Sequence, residues 1–586
     1  MTSDVAGGVH SGQTERSRPA TGPRWLPADR IGWSAAAIGA AGWIWHTVAV
    51  LRAYFVQDDF VYLYDAAHSG PTPDYLLRDY NGNVMPGQFL LVWLVNRIDP
   101  LNHTLAVLPL LLIAGAVSVL MWSCLVGLCG RRWALLVPFS VFTLSPAVFL
   151  TTEWWAYSLE LTPLLLAMLA AVRSQITFVR TASLRHAFLA FGWTVAGLVL
   201  WDKAVLIPIV VVGLTAALAP RLLRPYWWLW LGYAVLLGAY AGLYLLVTGH
   251  DTVAARPSEI PALAGVLVAR TFLPGLFGGP WTASGTSWEV SAPPLLALTW
   301  AAAAAVIVAG LWLGRSVAVR AFGTLVGYLL ADVALVAIGR AGTFGALIGS
   351  DPRYTADVVP VALLCGSAAL LTRPVRAPRA RWAGVLCVCL AASAVITLVG
   401  PGYVRTAVAR RWVTTAVAAV RDDPDAVLYD GRVPGDVLLS WFGRRATAAE
   451  VLGALPRPPT FDQPTGDLRM FDDTGTPRPV TLLGPATGRP GPVPRCGYAV
   501  GGAGADIPLT TRARGDRPVV RIGYYTGNGG PGTVDVVRGP VDVWFQPGLH
   551  QLFLVADRPP TRVRVTATGD TVCVADVAVG MPLPGR

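Results

Sequence analysis

Two adjacent carboxylates, Asp58 and Asp59, follow directly on the first apolar run of the chain in the stretch Val56-Gln57-Asp58-Asp59-Phe60-Val61. Neighbouring carboxylates repel one another's charge, which pushes one pKa upward and suits a general base working near neutral pH. Their oxygens also suit magnesium, manganese or calcium, so a divalent cation stays an open alternative, although nothing else in the sequence completes such a site. Further along, ionisable residues recur beside apolar runs: Glu153, Asp202 with Lys203, His250, and the group from Arg340 to Tyr354 that contains Arg353. Lys203 is the only lysine, every other permanently basic side chain being arginine, as in a high-GC bacterial genome. Simpler roles stand beside the chemical ones. The Asp pair also reads as an acidic turn at a helix end, Lys203 as an interfacial amine reaching for water, and Arg353 as the partner of Asp351 or Asp357.

The elements that must hold these residues are membrane helices. Of 586 residues 54% are hydrophobic and only 14% charged, with 22 tryptophans and a mean hydropathy of +0.52, whereas a soluble domain is about a quarter charged. Spans of about 20 apolar residues are predicted near 33 to 54, 104 to 128, 133 to 150, 155 to 172, 186 to 200, 203 to 219, 226 to 247, 293 to 313, 319 to 339, 355 to 372 and 382 to 400. The first 30 residues lack the apolar core of a signal peptide and read as a disordered cytoplasmic tail. Arginines collect in that tail and in alternate loops, at Arg131 and Arg132, Arg173 to Arg185, Arg221 and Arg224, Arg315 and Arg320, and Arg373 to Arg381. This is the pattern of cytoplasmic loops in a plasma-membrane protein. It accounts for the net charge of +11 without a nucleic-acid partner. The opposite loops, on the outer face, hold Asp58, Asp59, Glu153, Asp202, Lys203, His250 and Arg340 to Tyr354. Ionisable groups at membrane depth tend to mark functional sites.

The first outer loop, about 55 to 103, carries an amphipathic segment from Met85 to Val95 that suits the interface. The loop from Thr248 to Pro294, with Trp281, Trp288 and Glu289, suits a lid over a pocket. A long first outer loop opened by an Asp-Asp pair, many spans and an outer C-terminal domain together resemble the GT-C superfamily of polyprenyl-phosphate-sugar-dependent glycosyltransferases. Asp351-Pro352-Arg353-Tyr354-Thr355, with Pro360 ahead of a span, is similar to the Arg-Tyr element of several of these families, and Asp202-Lys203-Ala204 with Pro208 resembles a mid-chain Lys element. The likeness covers about 31 to 400. It departs in Asn83-Val84-Met85-Pro86, where many relatives place His or Arg before the proline.

The resemblance implies an inverting transfer in which Asp58, with Asp59 as its substitute, takes the acceptor's proton. Lys203, Arg353 and Arg340 are then the donor-phosphate cations, and Glu153, Asp202, Tyr354 and His250 the other substrate contacts. The implied partners are a polyprenyl-phosphate sugar donor, a cell-envelope glycan acceptor and membrane lipids. No cofactor beyond the open divalent cation is implied.

After Pro401 the pattern changes. A helix from about 404 to 420 and a mixed connection to 477 precede alternating β-formers at 519 to 525, 532 to 537, 541 to 545, 551 to 556, 561 to 568 and 571 to 579. These predict an antiparallel jelly-roll-like sandwich over 478 to 586. Five of seven cysteines lie in or beside spans; the other two, Cys496 and Cys573, are expected to pair in an oxidising compartment. Such a sandwich outside a GT-C core resembles the carbohydrate-binding modules of cell-wall arabinofuranosyltransferases, with Tyr524, Tyr525 or Trp544 facing sugar. That tilts the donor towards arabinose or mannose. The alternatives are a lipid or sugar transporter, whose charges should line a path through the midplane, and a non-catalytic wall-binding scaffold.

Overall fold

The structure, a computed structural model, describes residues 30–248, 254–279, 283–284, 287–288, 293–372, 391–393, 395, 406–536 and 539–585. Among them seven helices are long and apolar enough to cross a membrane and three apolar helices are shorter, so the predicted eleven spans are not reproduced one for one. The expected span at 382 to 400, Cys387, Cys389 and His250 fall largely or wholly outside the described residues. The helix Trp155–Thr181 is buried along most of its length and forms the centre of the bundle, flanked by His103–Cys129 and Leu184–Leu200. Small residues let these backbones meet. A Cβ at Gly197 would lie 2.9 Å from the Ala204 Cβ and 3.2 Å from that of Ala167, and one at Gly213 would collide with Thr324 of the helix Ser316–Val336.

Two segments depart from their predicted form. The run 133 to 150 is broken into a 3-10 turn, Trp133–Leu135, and the helices Leu136–Thr143 and Pro146–Glu153. Pro146 lacks an amide donor and disfavours helix at the residue before it, which ends the first helix there. The expected loop from Thr248 to Pro294 contains a largely helical stretch, Pro257–Leu276, that is itself long and apolar enough to cross a membrane. The Ala255 N–H donates to Ala337 O (2.8 Å) and the Thr271 hydroxyl to Gly349 O (2.8 Å), so both ends of the stretch pack on one end of the bundle.

In the loop after the first long helix, helices Asp58–Ala67 and Pro86–Ile98 pack together. The second buries Phe89 and Val92 and leaves Leu90, Leu94 and Ile98 exposed. From Thr406–Asp422 onward the chain forms a unit apart from the helical bundle, called the outer unit for that position relative to the bundle alone. Its eight-stranded sheet begins with parallel strands at Val427–Leu428, Thr460–Phe461 and Leu468–Phe471 and continues without a break through the antiparallel strand Pro477–Thr487 to Val572–Pro584 and Val519–Thr526. The connecting region and the sandwich therefore share one sheet across residue 477. A second, four-stranded antiparallel sheet faces it, and Val520, Ile522 and Tyr524 meet Val534, Phe545 and Val565 in the core between them. Tyr524 is buried with its hydroxyl accepting the Gln546 N–H (2.9 Å), while Tyr525 and Trp544 are exposed.

Cys496 and Cys573 are bonded, closing a loop of 77 residues. A cross-link over such a loop limits the unfolded chain and is worth about 2–4 kcal/mol. The double variant Cys496→Ala/Cys573→Ala is expected to lower the urea concentration at which the outer unit becomes protease-sensitive, with the membrane helices unaffected; pulse proteolysis of the full chain measures both.

Candidate functional site

The outer unit grips the chain one residue before the acidic pair. Gln57 donates from its amide nitrogen to Gly435 O (2.9 Å), accepts the Leu439 N–H (2.8 Å) and donates its own N–H to Val437 O (2.8 Å). It does so with φ 53°, a left-handed conformation costly for a non-glycine residue. This bend starts the helix Asp58–Ala67 and sends the two carboxylates in different directions.

Asp59 is fully buried. Its Oδ2 accepts the Val56 N–H (2.9 Å) and its Oδ1 the Ala156 N–H (2.8 Å) in the first turn of Trp155–Thr181. Burial pushes its carboxyl well above the usual range, against the pull of those two N–H groups. Both of its oxygens accept from backbone, the arrangement of a remote cap on the central helix, which competes with the expected role of substitute base. Asp58 is half-buried and accepts a hydrogen bond from the Tyr80 hydroxyl at 2.6 Å. Burial raises the Tyr80 pKa far above its ordinary value, so that hydroxyl stays a donor.

Beyond Tyr80 lies a cavity of about 490 Å³. A tight turn forms its rim, with Asn81 at φ 52° and Gly82 at φ 75° and paired bonds between Tyr80 and Asn83. The Tyr244 hydroxyl, from the far wall, donates to Gly82 O at 2.7 Å. With its amide nitrogen towards Asp202, Asn83 donates to Asp202 Oδ2 (3.0 Å) and accepts from Arg340 Nη2 (2.7 Å). Arg340 sits in a π-helical turn, Ala337–Ala341, a distortion frequent at functional sites. Arg353 is held by Asp351, whose Oδ1 accepts its backbone N–H (3.0 Å) and whose Oδ2 pairs with its Nε (3.2 Å). Its guanidinium lies 4.2 Å from the Tyr157 ring centroid and 4.7 Å from that of Tyr354.

Lys203 also borders the cavity, but its amine is spent. Its three donors face Asp357 Oδ1 (2.6 Å), Asp332 Oδ1 (2.8 Å) and Tyr354 O (2.9 Å), and Asp357 Oδ2 accepts from the Tyr328 hydroxyl (2.6 Å). Lys203 is thus the counter-charge of two fully buried aspartates, an arrangement that competes with its expected phosphate role.

Of the sequence-predicted site residues, Asp202, Lys203, Arg340, Arg353 and Tyr354 line this one cavity. Asp58 lies one layer behind the lining, across Tyr80. Glu153 ends its helix outside the lining, and His250 is outside the described residues. Glu160, Asp332, Tyr240 and Trp201 line the cavity without having been predicted. The signal for Glu160 and Asp332 was present: each is a carboxylate inside an apolar run long enough to span, which alone marks a site. The lining balances three cations, Lys203, Arg340 and Arg353, against three carboxylates, Glu160, Asp202 and Asp332. Among the described residues, the buried hydroxyls of Tyr240 and Tyr354 have no hydrogen-bond partner. Orphaned polar atoms lining one cavity are what a polar ligand satisfies. The remaining wall, with Leu237, Leu335 and Ile338, is apolar, and Leu335 and Ile338 are exposed on the outside of the bundle.

No family model and no curated protein matches the chain. Two of the solved structures similar to it are mycobacterial enzymes. One is the arabinofuranosyltransferase AftD from Mycobacteria, at 13% identity and TM-score 0.36, covering 94% of this chain and 61% of that one. The other is the arabinosyltransferase EmbB from Mycobacterium smegmatis, at 14% identity and TM-score 0.34, covering 98% of this chain and 66% of that one. The chain thus spans less than two-thirds of the length of each. Both scores are under 0.5, and the function proposed below stands on the site's own residues.

Lys203→Met leaves two buried carboxylates without a counter-charge and is expected to cost about 3–5 kcal/mol, seen as a lower thermal midpoint in detergent. Adding Asp332→Asn and Asp357→Asn should recover part of the loss. A single variant with unchanged stability and weakened donor binding alone would return Lys203 to the ligand role.

Proposed function

We propose that this chain is a membrane glycosyltransferase. It moves a sugar, arabinofuranose or mannose, from a polyprenyl-phosphate donor to a cell-envelope glycan on the outer face of a bacterial plasma membrane, with inversion at the anomeric carbon. The observation that carries this reading is the composition of the cavity: arginines, carboxylates and unpartnered hydroxyls at one end, an apolar wall reaching the lipid-facing surface at the other. A ligand with an anionic head, many hydroxyls and a long hydrocarbon tail fits that division.

Each group then has a task. Arg340 and Arg353 neutralise the phosphate, whose C1–O bond breaks as the phosphate leaves with the electron pair. Both guanidiniums are held in advance, by Asn83 and by Asp351 with two tyrosine rings, so little reorganisation is required. Glu160 and Asp202 accept hydrogen bonds from sugar hydroxyls. Asp58, oriented by Tyr80, takes the proton of the acceptor hydroxyl as its oxygen attacks the anomeric carbon. The acceptor approaches from the side of the outer unit, which holds Gln57 beside Asp58. A phosphate leaving group is already a stable anion, so no general acid is needed.

A transporter would place its charges along a path through the midplane. Here they gather at one end of the bundle, beside the outer unit. The fit of Glu160 against the cavity favours one variation: it is the carboxylate nearer the donor pocket and is the other candidate base.

Asp58→Asn is expected to reduce kcat by about 10²–10⁴-fold at unchanged donor affinity, and Arg340→Gln to weaken donor binding. Transfer from radiolabelled polyprenyl-phosphate sugars by purified protein measures both. Full activity in Asp58→Asn alongside loss in Glu160→Gln would move the base to Glu160. Full activity in both, with lipid translocation in proteoliposomes, would replace the transferase by a flippase.

A further inference from the structure

The helix Ser316–Val336 and the turns that continue it to Phe344 expose Val326, Leu330 and Ile338 along one face, the face a span presents to lipid. The exposed apolar surface does not stop where the helix ends. It runs on to Phe344 and Leu347, the latter 74% exposed, and then crosses to the outer unit, where Trp441 packs its ring 5.3 Å from that of Phe344. Trp441 is nevertheless 58% exposed, and Leu439 beside it is exposed too. Both belong to Leu439-Ser440-Trp441-Phe442-Gly443-Arg444-Arg445, a 3-10 turn with Gly443 at φ 64°. That turn presents leucine and tryptophan on the bundle side and an exposed arginine, Arg444, just after them.

We propose that the turn 439–444 of the outer unit dips into the outer leaflet of the bilayer, with Leu439 and Trp441 at the acyl boundary and Arg444 among the lipid phosphates. Three observations support a lipid occupant. The patch is continuous with the lipid-facing stripe of a membrane helix. It lies at the level where that helix ends, which is where tryptophan concentrates in membrane proteins. Its sequence couples apolar anchors to a cation, the composition of an interfacial segment. A solvated patch of this kind on the outer unit would have no reason to continue a span's outer face.

The consequence reaches the site. Leu439, at the start of this turn, donates its N–H to Gln57, the residue before Asp58, and Arg445, at its end, pairs with Asp65 of the same helix (2.5 Å). The segment that contacts lipid is thus the segment that holds the acidic helix. The membrane anchor rests only on the membrane-spanning fold, so it stands or falls separately from the transferase assignment.

Spin labels at Trp441→Cys and Leu439→Cys, in full-length protein carrying Cys387→Ala and Cys389→Ala and embedded in nanodiscs, test this by power saturation with oxygen and a water-soluble nickel chelate. A label at Leu330→Cys sets the lipid limit and free label in buffer the aqueous limit. Oxygen-dominated relaxation at both 439 and 441, close to that at 330, is the expected result. Nickel-dominated relaxation at both positions overturns the proposal. If added glycan then protects those labels, the patch is a sugar platform instead.

Discussion

The arrangement depends on a buried lysine that must not be left alone. A charge inside a membrane protein costs several kcal/mol unless it is matched, and Lys203 is matched by taking every donor it has to Asp332, Asp357 and the Tyr354 carbonyl. These contacts join three stretches distant in sequence: the turn after Leu184–Leu200, the helix Ser316–Val336, and the segment leading into Val358–Leu371. Arg340 follows Asp332 on one of these, and Arg353 precedes Asp357 on another. The clamp therefore sets where the guanidiniums of Arg340 and Arg353 project, although its own charges are consumed.

A second fastening acts from outside. Gln57 holds a strained backbone angle because three hydrogen bonds to the loop 435–439 offset it. Asp65 is likewise shared by Arg78 (3.1 Å) and Arg445 (2.5 Å). The acidic helix is thus set between a membrane bundle and an extramembrane unit. Asp59 anchors it inward to the central helix and Gln57 outward, while Asp58 accepts from the Tyr80 hydroxyl.

Residue types and their order carried much of this. Apolar runs located the long helices, and the alternation of arginines with acidic and mixed loops gathered Asp202, Arg340, Arg353 and Tyr354 at one end, where a single cavity now holds them. What could not be read was partnership. Asp58 and Asp59 are identical in composition and adjacent, and only the bend at Gln57 decides which faces inward. Lys203 looked free because its counter-ions, Asp332 and Asp357, lie 129 and 154 positions further along the chain. Pro257–Leu276 was mistaken for loop because glycines and prolines interrupt it; its π-helical turn, Gly265–Phe272, reflects the same irregularity.

Asn83 shows how a neutral amide fits between opposite charges. A neutral amide stands three residues before the first-loop proline, facing both Arg340 and Asp202. A cation at that point would sit within 3 Å of Arg340 and repel it, whereas an amide offers an oxygen to Arg340 and a nitrogen to Asp202 at once. The positive charge at this point of the site is carried by Arg340 on the π-helical turn facing the loop. A guanidinium there is held more firmly than one on a surface loop, because the turn's backbone is packed and the amide fixes its direction.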